Sequence, residues 1–583
     1  MFLRKAKNKK TGRVYLSIVE SYREPGHPNP KSRTVESLGY LDVLEKEYGD
    51  PIAFFEAEVA RRNAEQAKEE STVAINIDRN ELIKKNTDSR KNFGYVALSH
   101  IYHDLQIDDF VKNRQRHANH KYDANAIMRV LVFNRLLDPG SKRKDYENKD
   151  RFFESANFSL QDMYFALSFL EKHTEAMQLW LHERVAKQYN RNTRQVFYDV
   201  TNYYFEIDEQ DELRRKGISK DNKPFPLVQM GLLCDNNGLP IAYNLFPGNT
   251  SDKITLRPTI SKTKQRYRLG RVIVVADRGV ITSDNIWHLL DNNNGYVFSM
   301  SIKGSDSRFK AWVLDSKGYQ VKDKIDNEIV FKVKSRLEPR EISVTGAKGK
   351  KSKKVVHEKQ VVYYSKKYAD RAKAEREAVI EKARDLIASP GKYTKATSYG
   401  AAKYVKNIKF DEATGEILED AKNHLYLNEK MMEEEARFDG YYAIVTSEHR
   451  ESAERIIEIY RDLWRIEEAF KVTKSELKTR PIYLSTHERI KGHFLVCFVA
   501  LLIIRILEHR LKHKHSTHAI LDTLRKANCS HVEQNYYLFD HYDDVLEDIG
   551  KELKIDFSKK YLTLKEIKSY VAEAKKPNYT TPF

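Results

Sequence analysis

Two aspartates interrupt apolar runs that otherwise read as buried strands. Asp199 sits in the middle of Gln195-Val196-Phe197-Tyr198-Asp199-Val200-Thr201, and Asp277 ends Arg271-Val272-Ile273-Val274-Val275-Ala276, followed by Arg278-Gly279. An acid in such a run is costly unless it is paired, hydrogen-bonded or metal-bound. The carboxyl end of a buried strand is also a common place for a site in α/β sheets. Singly, each Asp reads equally well as a helix cap or a turn residue. On neighbouring strands, the two carboxylates reach one point. A third acid comes from the helix expected over Ser452 to Ser475, where Tyr460, Glu467 and Lys474 lie at i, i+7 and i+14. At about 100° per residue, seven steps fall only ~20° short of two turns, so the three share one stripe. A phenol, a carboxylate and an ammonium in one stripe can hold a metal at the centre and grip phosphates above and below. The plain alternative is a solvated charged face. Trp464 and Phe470 are expected to pack this helix on the sheet.

The elements that must position these groups follow from local pattern. Beside the Asp199 strand, Val228-Gln229-Met230-Gly231-Leu232-Leu233-Cys234 and Leu239-Pro240-Ile241-Ala242-Tyr243-Asn244-Leu245 read as strands, joined by the hairpin turn Asp235-Asn236-Asn237-Gly238. A helix over 253–267, the Asp277 strand, a helix from Ser283 and a strand Tyr296-Val297-Phe298-Ser299-Met300 complete the unit. The expectation is an α/β fold with a mixed five-stranded sheet, antiparallel at its front end. Over 303–440 the pattern turns to β-like alternation with one charged helix at 367–388. This is a β-rich insertion between a first core part, 191–302, and a second, 441–515.

Upstream, 1–50 reads as a small β unit. A hairpin-like pair, Arg13 to Glu20 with Arg33 to Leu38, is joined by the loop Pro25 to Pro30. Its basic flank Arg4 to Lys10 is either a solvated tail or a DNA-touching arm. A helical connector spans 51–92. Residues 93–190 are mostly helical, with one helix over Ala124 to Leu137 stopped by Asp138-Pro139-Gly140. Such a region suits DNA-end binding or a plain bundle. Shorter helices are expected over 516–583, for dimerisation or DNA contact.

The 583 residues carry a net charge of +18, with 40% hydrophobic and 11% aromatic residues. That composition supports a packed core and makes a polyanion, nucleic acid first, the leading partner. Cys234, Cys497 and Cys529 show no C-x-x-C spacing, which argues against a disulfide framework and fits a reducing compartment. The opening Met1-Phe2-Leu3-Arg4-Lys5 runs straight into polar residues, and the apolar run Phe494 to Leu507, broken by Arg505, reads as a buried core helix. A cytoplasmic protein, associated with the nucleoid when bound to DNA, is expected.

Taken together, Tyr198-Asp199-Val200-Thr201, Phe246-Pro247-Gly248-Asn249-Thr250-Ser251-Asp252, Ala276-Asp277-Arg278-Gly279 and Tyr460 through Lys474 resemble the insertion-sequence transposases with an RNase H-like catalytic domain and three catalytic acids. Within them the chain looks like the branch with a β-rich insertion and a Tyr-Arg-Glu-Lys signature helix. The resemblance covers about 195–505. It implies Asp199, Asp277 and Glu467 as catalytic and metal-binding acids, with Glu468 as the alternative to Glu467. It implies two Mg²⁺ ions, with Mn²⁺ able to substitute, and Tyr460 and Lys474 as DNA-phosphate contacts. The signature Arg falls at Leu463; Arg461 and Arg465 flank it as substitutes, and Arg278 is a further phosphate contact. In the insertion, Trp312 reads as a core residue, with stacking on a flipped base as its alternative role. Lys303, Lys310 and the 348–354 cluster are candidate phosphate contacts. The implied function is a DNA transposase that cleaves element ends and joins them to target DNA, working as a homodimer on DNA. An RNase H-like nuclease without strand transfer and an inactive DNA-binding derivative are the alternatives.

Overall fold

A computed structural model of the chain describes residues 1–8, 11–22, 31–71, 80, 82, 85, 89–221, 223–325, 328–346, 349–394, 397–398, 400–410, 416–418, 425–533 and 535–576. The expected loop Pro25 to Pro30, and Lys9, Lys10 and Lys348, lie outside the described residues. The chain divides into two units, 1–87 with 532–535, and 88–531 with 536–583.

The first unit is a three-stranded antiparallel sheet, β1 (Phe2–Lys7), β2 (Val14–Tyr22) and β3 (Lys31–Tyr40), followed by helices Leu41–Tyr48 and Pro51–Ser71. Leu16, Leu44 and Phe55 form its core. The β2–β3 pair matches the expected hairpin. The described part of the basic flank is no solvated tail: Arg4 to Lys7 lie in strand β1, paired from Phe2 opposite Val19 to Lys7 opposite Val14. Its backbone completes the sheet while its Lys and Arg side chains stay in water.

In the second unit, helices cover much of 95–189, among them Tyr95–Asp104, Ala124–Leu137 and Leu160–Lys172. The last of these opens with a capping box, Ser159 and Asp162 satisfying each other's backbone N–H groups. The helix His487–Arg510 packs among all three. It is apolar on every side because every side meets protein. Gly492 in it comes so close to the Leu167 carbonyl that a Cβ there would lie 2.2 Å from the oxygen. Its buried Arg505 donates to Glu508 at 2.6 Å. Among the described residues this is the one helix long and apolar enough to cross a membrane, and it is buried inside the unit.

A small sheet follows the order β18-β17-β16-β4, with β4 at Arg90–Asn92, β16 at Asn528–His531, β17 at Tyr536–Phe539 and β18 at Tyr561–Thr563. The C-terminal stretch is therefore not helices alone; its strands pair back to residue 90.

The large sheet comprises β5 (Gln195–Tyr204), β6 (Leu227–Cys234), β7 (Pro240–Pro247), β8 (Ile273–Ala276), β9 (Gly295–Met300), β10 (Gln320–Ile325), β11 (Glu328–Thr345), β12 (Lys351–Ser365) and β15 (Tyr441–Thr446). A two-stranded ribbon, β13 (Val405–Lys406) with β14 (Tyr426–Leu427), stands apart. The order in the large sheet is β10-β11-β12-β15-β9-β8-β5-β6-β7. The five expected strands are there, with β5, β6 and β7 antiparallel and β5, β8 and β9 parallel. The sheet nevertheless has nine strands, not five. β15 pairs with the free edge of β9 and draws the long β11–β12 hairpin onto it, which satisfies an otherwise open strand edge. At the β6–β7 turn, Gly238 takes φ +76° while the Asp235 carboxylate accepts from the N–H groups of Asn237 and Leu239 at 2.9 and 3.0 Å.

Candidate active site

β5 and β8 run side by side and parallel, with Phe197 opposite Val275. Two residues further along each stand Asp199 and Asp277. The two-residue period of an extended chain puts both carboxylates on the face that Phe197 and Val275 occupy. The helix Trp464–Lys471 lies over that face through Ile466, Ala469 and Phe470, which share one core with Phe197 and Val275. Asp277 leaves β8 with extended backbone and begins the short turn Arg278–Val280. Its Oδ1 accepts from Ser299 Oγ of β9 at 2.7 Å and from the Tyr460 hydroxyl at 3.3 Å. Asp199 Oδ1 accepts from the Val200 N–H at 2.7 Å.

The electrostatics tie the same groups together. Burial pushes the Asp199 carboxyl up to about 6; Lys220 opposes this, while the like charges of Asp277 and Asp252 add to it. Burial, with Asp277 second, pushes Glu467 above the usual carboxylate range. Burial, aided by Lys220 and opposed by Asp199, lowers the Lys474 ammonium. Burial also raises the Tyr460 phenol, so at neutral pH it is a donor. Among the described residues, no three His, Cys, Asp or Glu side chains stand close enough to close on one metal ion. The acids form an open set, with hard oxygen donors of the kind Mg²⁺ prefers.

Tyr460, Glu467 and Lys474 do not share one helix. The expected run Ser452 to Ser475 is three pieces: Ala453–Arg461, Trp464–Lys471 and a π turn, Val472–Glu476. At the first break, three-residue bonds replace the helical ladder: Leu463 N–H to the Tyr460 carbonyl, Arg465 to Asp462 and Ile466 to Leu463, each 3.1 Å. The wider π turn then shifts the phase again before Lys474. Trp464 is 48% exposed and does not pack the helix down; Leu463, Ile466 and Phe470 do. Arg461 lies over the rings of Phe331 and Tyr363, and Arg465 sits against Trp464 and near Asp462. Arg278 is exposed next to Asp277. Trp312 is half-buried in the helix Ser307–Leu314, with the Arg336 guanidinium 4.1 Å above its ring. Lys303 pairs with Glu435 at 3.2 Å.

Three neighbours had no part in the sequence reading of the acids. Asp252 had a signal, as the end of the Phe246 to Asp252 motif. Ser299 sits in an expected strand but carries no chemistry by type. Lys220 lies in the irregular link from β5 to β6, donating to the Val200 carbonyl and standing 3.9 Å from Asp252. No periodicity points to it.

Residues 204–503, just over half of the chain, match the family described as Transposase DDE domain. Residues 3–73 match the N-terminal domain of IS1634 family transposases. Asp277 and Glu467 fall inside the larger match, and Asp199 just before it. No curated protein matches the chain. Among solved structures, a piggyBac transposase synaptic complex with hairpin DNA is 8% identical, covering 84% of this chain and 85% of that one at a TM-score of 0.32. A Mos1 transposase paired-end complex with left transposon end is 12% identical, covering 44% and 70% at a TM-score of 0.13. Likenesses this slight carry no argument, and the family rests on the sequence match. The chain belongs to the DDE transposase domain family and is a DNA transposase.

Proposed function

We propose that this transposase cleaves the ends of its insertion sequence and joins them to target DNA at a site formed by Asp199, Asp277 and Glu467. The observation that carries the reading is the pairing of β5 with β8, which sets Asp199 and Asp277 side by side on one face, under the helix that bears Glu467. The strand order β9-β8-β5-β6-β7, with three antiparallel strands at one end, supports an RNase H-like core. The strands from β10 to β14 represent the insertion.

The three carboxylates would hold two Mg²⁺ ions. When bound, such a pair activates an attacking hydroxyl and stabilises the leaving oxygen of an in-line displacement. The chain's own residues prepare that site. Ser299 and Tyr460 both donate to Oδ1 of Asp277, which fixes its rotamer and leaves Oδ2 for an ion. Val200 does the same for Asp199 through Oδ1. Repulsion among the acids, felt at Asp199 and Glu467, is relieved by a cation. Tyr460 and Lys474 line the approach of the DNA strand, with Arg278 at the rim. The Trp312 ring packs against Phe309 and Arg336, which supports its place in the insertion core. The partner is double-stranded DNA, bound by a homodimer that brings two ends together.

The test is metal-dependent nicking and joining of labelled DNA carrying the element's own ends, with wild type beside Asp199→Ala and Glu467→Ala. Wild type is expected to cut and join, and both variants to bind DNA without cutting it. Variants that cut as well as wild type would overturn the site.

A further inference from the structure

Beside the acids, two cations converge on one carboxylate oxygen. Lys474 Nζ lies 4.0 Å from Asp221 Oδ2, and Arg480 Nη1 contacts the same oxygen. The three side chains are 18%, 19% and 24% exposed, so the cluster is sheltered but open to solvent on one side. Two positive charges meet one negative, which leaves one positive charge over. The Arg480 guanidinium lies over the ring of Tyr204, 5.6 Å from its centre, and Tyr204 stacks on Phe225. Lys474 is within electrostatic reach of Asp199.

The partners differ in how firmly they are held. Lys474 sits on the π turn, anchored by buried Val472, Thr473, Leu477 and Thr479. The Thr473 hydroxyl meets that of Tyr203 at 2.8 Å, and the Thr479 N–H donates to the Thr473 carbonyl at 3.1 Å. Arg480 follows directly. Asp221 instead belongs to the link between β5 and β6, which holds no helix or long strand among its described residues. Lys474 is held by this packing, Arg480 continues it into an irregular segment, and Asp221 rides on a loop. A carboxylate offers two oxygens and one negative charge, as a phosphodiester does, and an Arg–Lys pair takes either.

We propose that Lys474 and Arg480 form a two-cation clamp for a DNA phosphate beside the acids, and that the Asp221 carboxylate occupies this clamp until DNA displaces it. Arg480 is thereby a DNA-positioning residue and Asp221 a built-in competitor. The location of the clamp relative to chemistry rests on the proposed acid site; the clamp itself does not need that site to be catalytic.

Binding of a fluorescent mixed-sequence DNA duplex, measured in chelator over a range of salt, tests this. Arg480→Gln is expected to weaken binding about tenfold and to lower the slope of log affinity against log salt by about 0.9. Asp221→Asn is expected to tighten binding several-fold in the wild-type background and distinctly less in the Arg480→Gln background, where Asp221 faces Lys474 alone. Unchanged binding in Arg480→Gln overturns the proposal, as does an Asp221→Asn gain that is undiminished without Arg480. A folded Asp221→Asn protein, checked by its melting curve, that binds no tighter than wild type overturns it too. Should Asp221→Asn not fold, Lys474→Gln decides with Arg480→Gln: matching losses support the clamp, and no loss in either sinks it. Because no metal or cleavage enters the readout, failure of the acid-site reading leaves these outcomes intact.

Discussion

Replacing Asp199 by Asn is expected to stabilise the metal-free protein, and only above mildly acidic pH. The side chain is half-buried, and burial moves its carboxyl from an ordinary value of 3.8 to about 6. In the folded state the proton is held more tightly than in the unfolded chain. Below about pH 4 both states are protonated and Asp199 costs nothing; between about pH 4 and 6 the cost grows, and above 6 it stays level. At 1.36 kcal/mol per unit, a shift of about two units gives roughly 3 kcal/mol. That is an upper figure, since part of the carboxylate meets water. Asn keeps an oxygen for the Val200 N–H and removes the charge. Thermal melting in chelator is the assay. The variant should melt a few degrees above wild type at about pH 8, with the gap closing toward pH 4. A gap that stays constant across this range, or no gap at pH 8, would refute the claim that burial of a charge governs this position.

Three further outcomes follow. Adding Mg²⁺ should raise the melting temperature of wild type and do so less in Asp199→Asn, because a ligand that binds only the folded state stabilises it by mass action; equal shifts would count against Asp199 as a ligand. Tyr460→Phe removes one donor to the Asp277 carboxylate and should slow end cleavage about tenfold, with the melting curve little changed; wild-type rates would remove Tyr460 from the site. Gly492→Ala should destabilise the protein by about 1–3 kcal/mol, since its new Cβ would lie 2.2 Å from the Leu167 carbonyl oxygen, and unaltered denaturation would show that the two helices can part.

Much of the catalytic sheet was legible because its strands are short apolar runs bounded by turn residues. Gln195 to Thr201 and Val228 to Cys234 each fall within an observed strand, and the Asp235 to Gly238 turn lies where its residues demand. What the runs do not encode is which strand edge meets which. Nothing local in Tyr441 to Thr446 says that it pairs with β9, and the alternation over 303–440 does not reveal that its strands join the same sheet. The single helix expected over Ser452 to Ser475 breaks for a different reason. A seven-residue recurrence assumes constant pitch, and the tight turn at Asp462-Leu463 and the wide one at Val472 to Glu476 each change the phase. Leu463 is 6% exposed and belongs to the core, so no guanidinium could serve the site from there. Asp221, Lys220 and Arg480 lie in irregular segments, where no periodicity marks a residue for attention.

The helix His487–Arg510 also sets an order of events during synthesis. The helices it packs among, Tyr95–Asp104, Ala124–Leu137 and Leu160–Lys172, are made several hundred residues earlier. At about 5–20 residues per second, they wait tens of seconds with their apolar faces uncovered. A chain broken off anywhere before residue 487 never receives the piece that closes this core. Premature stops late in the gene should therefore yield aggregating or degraded fragments rather than shortened DNA-binding proteins that compete with the full-length transposase.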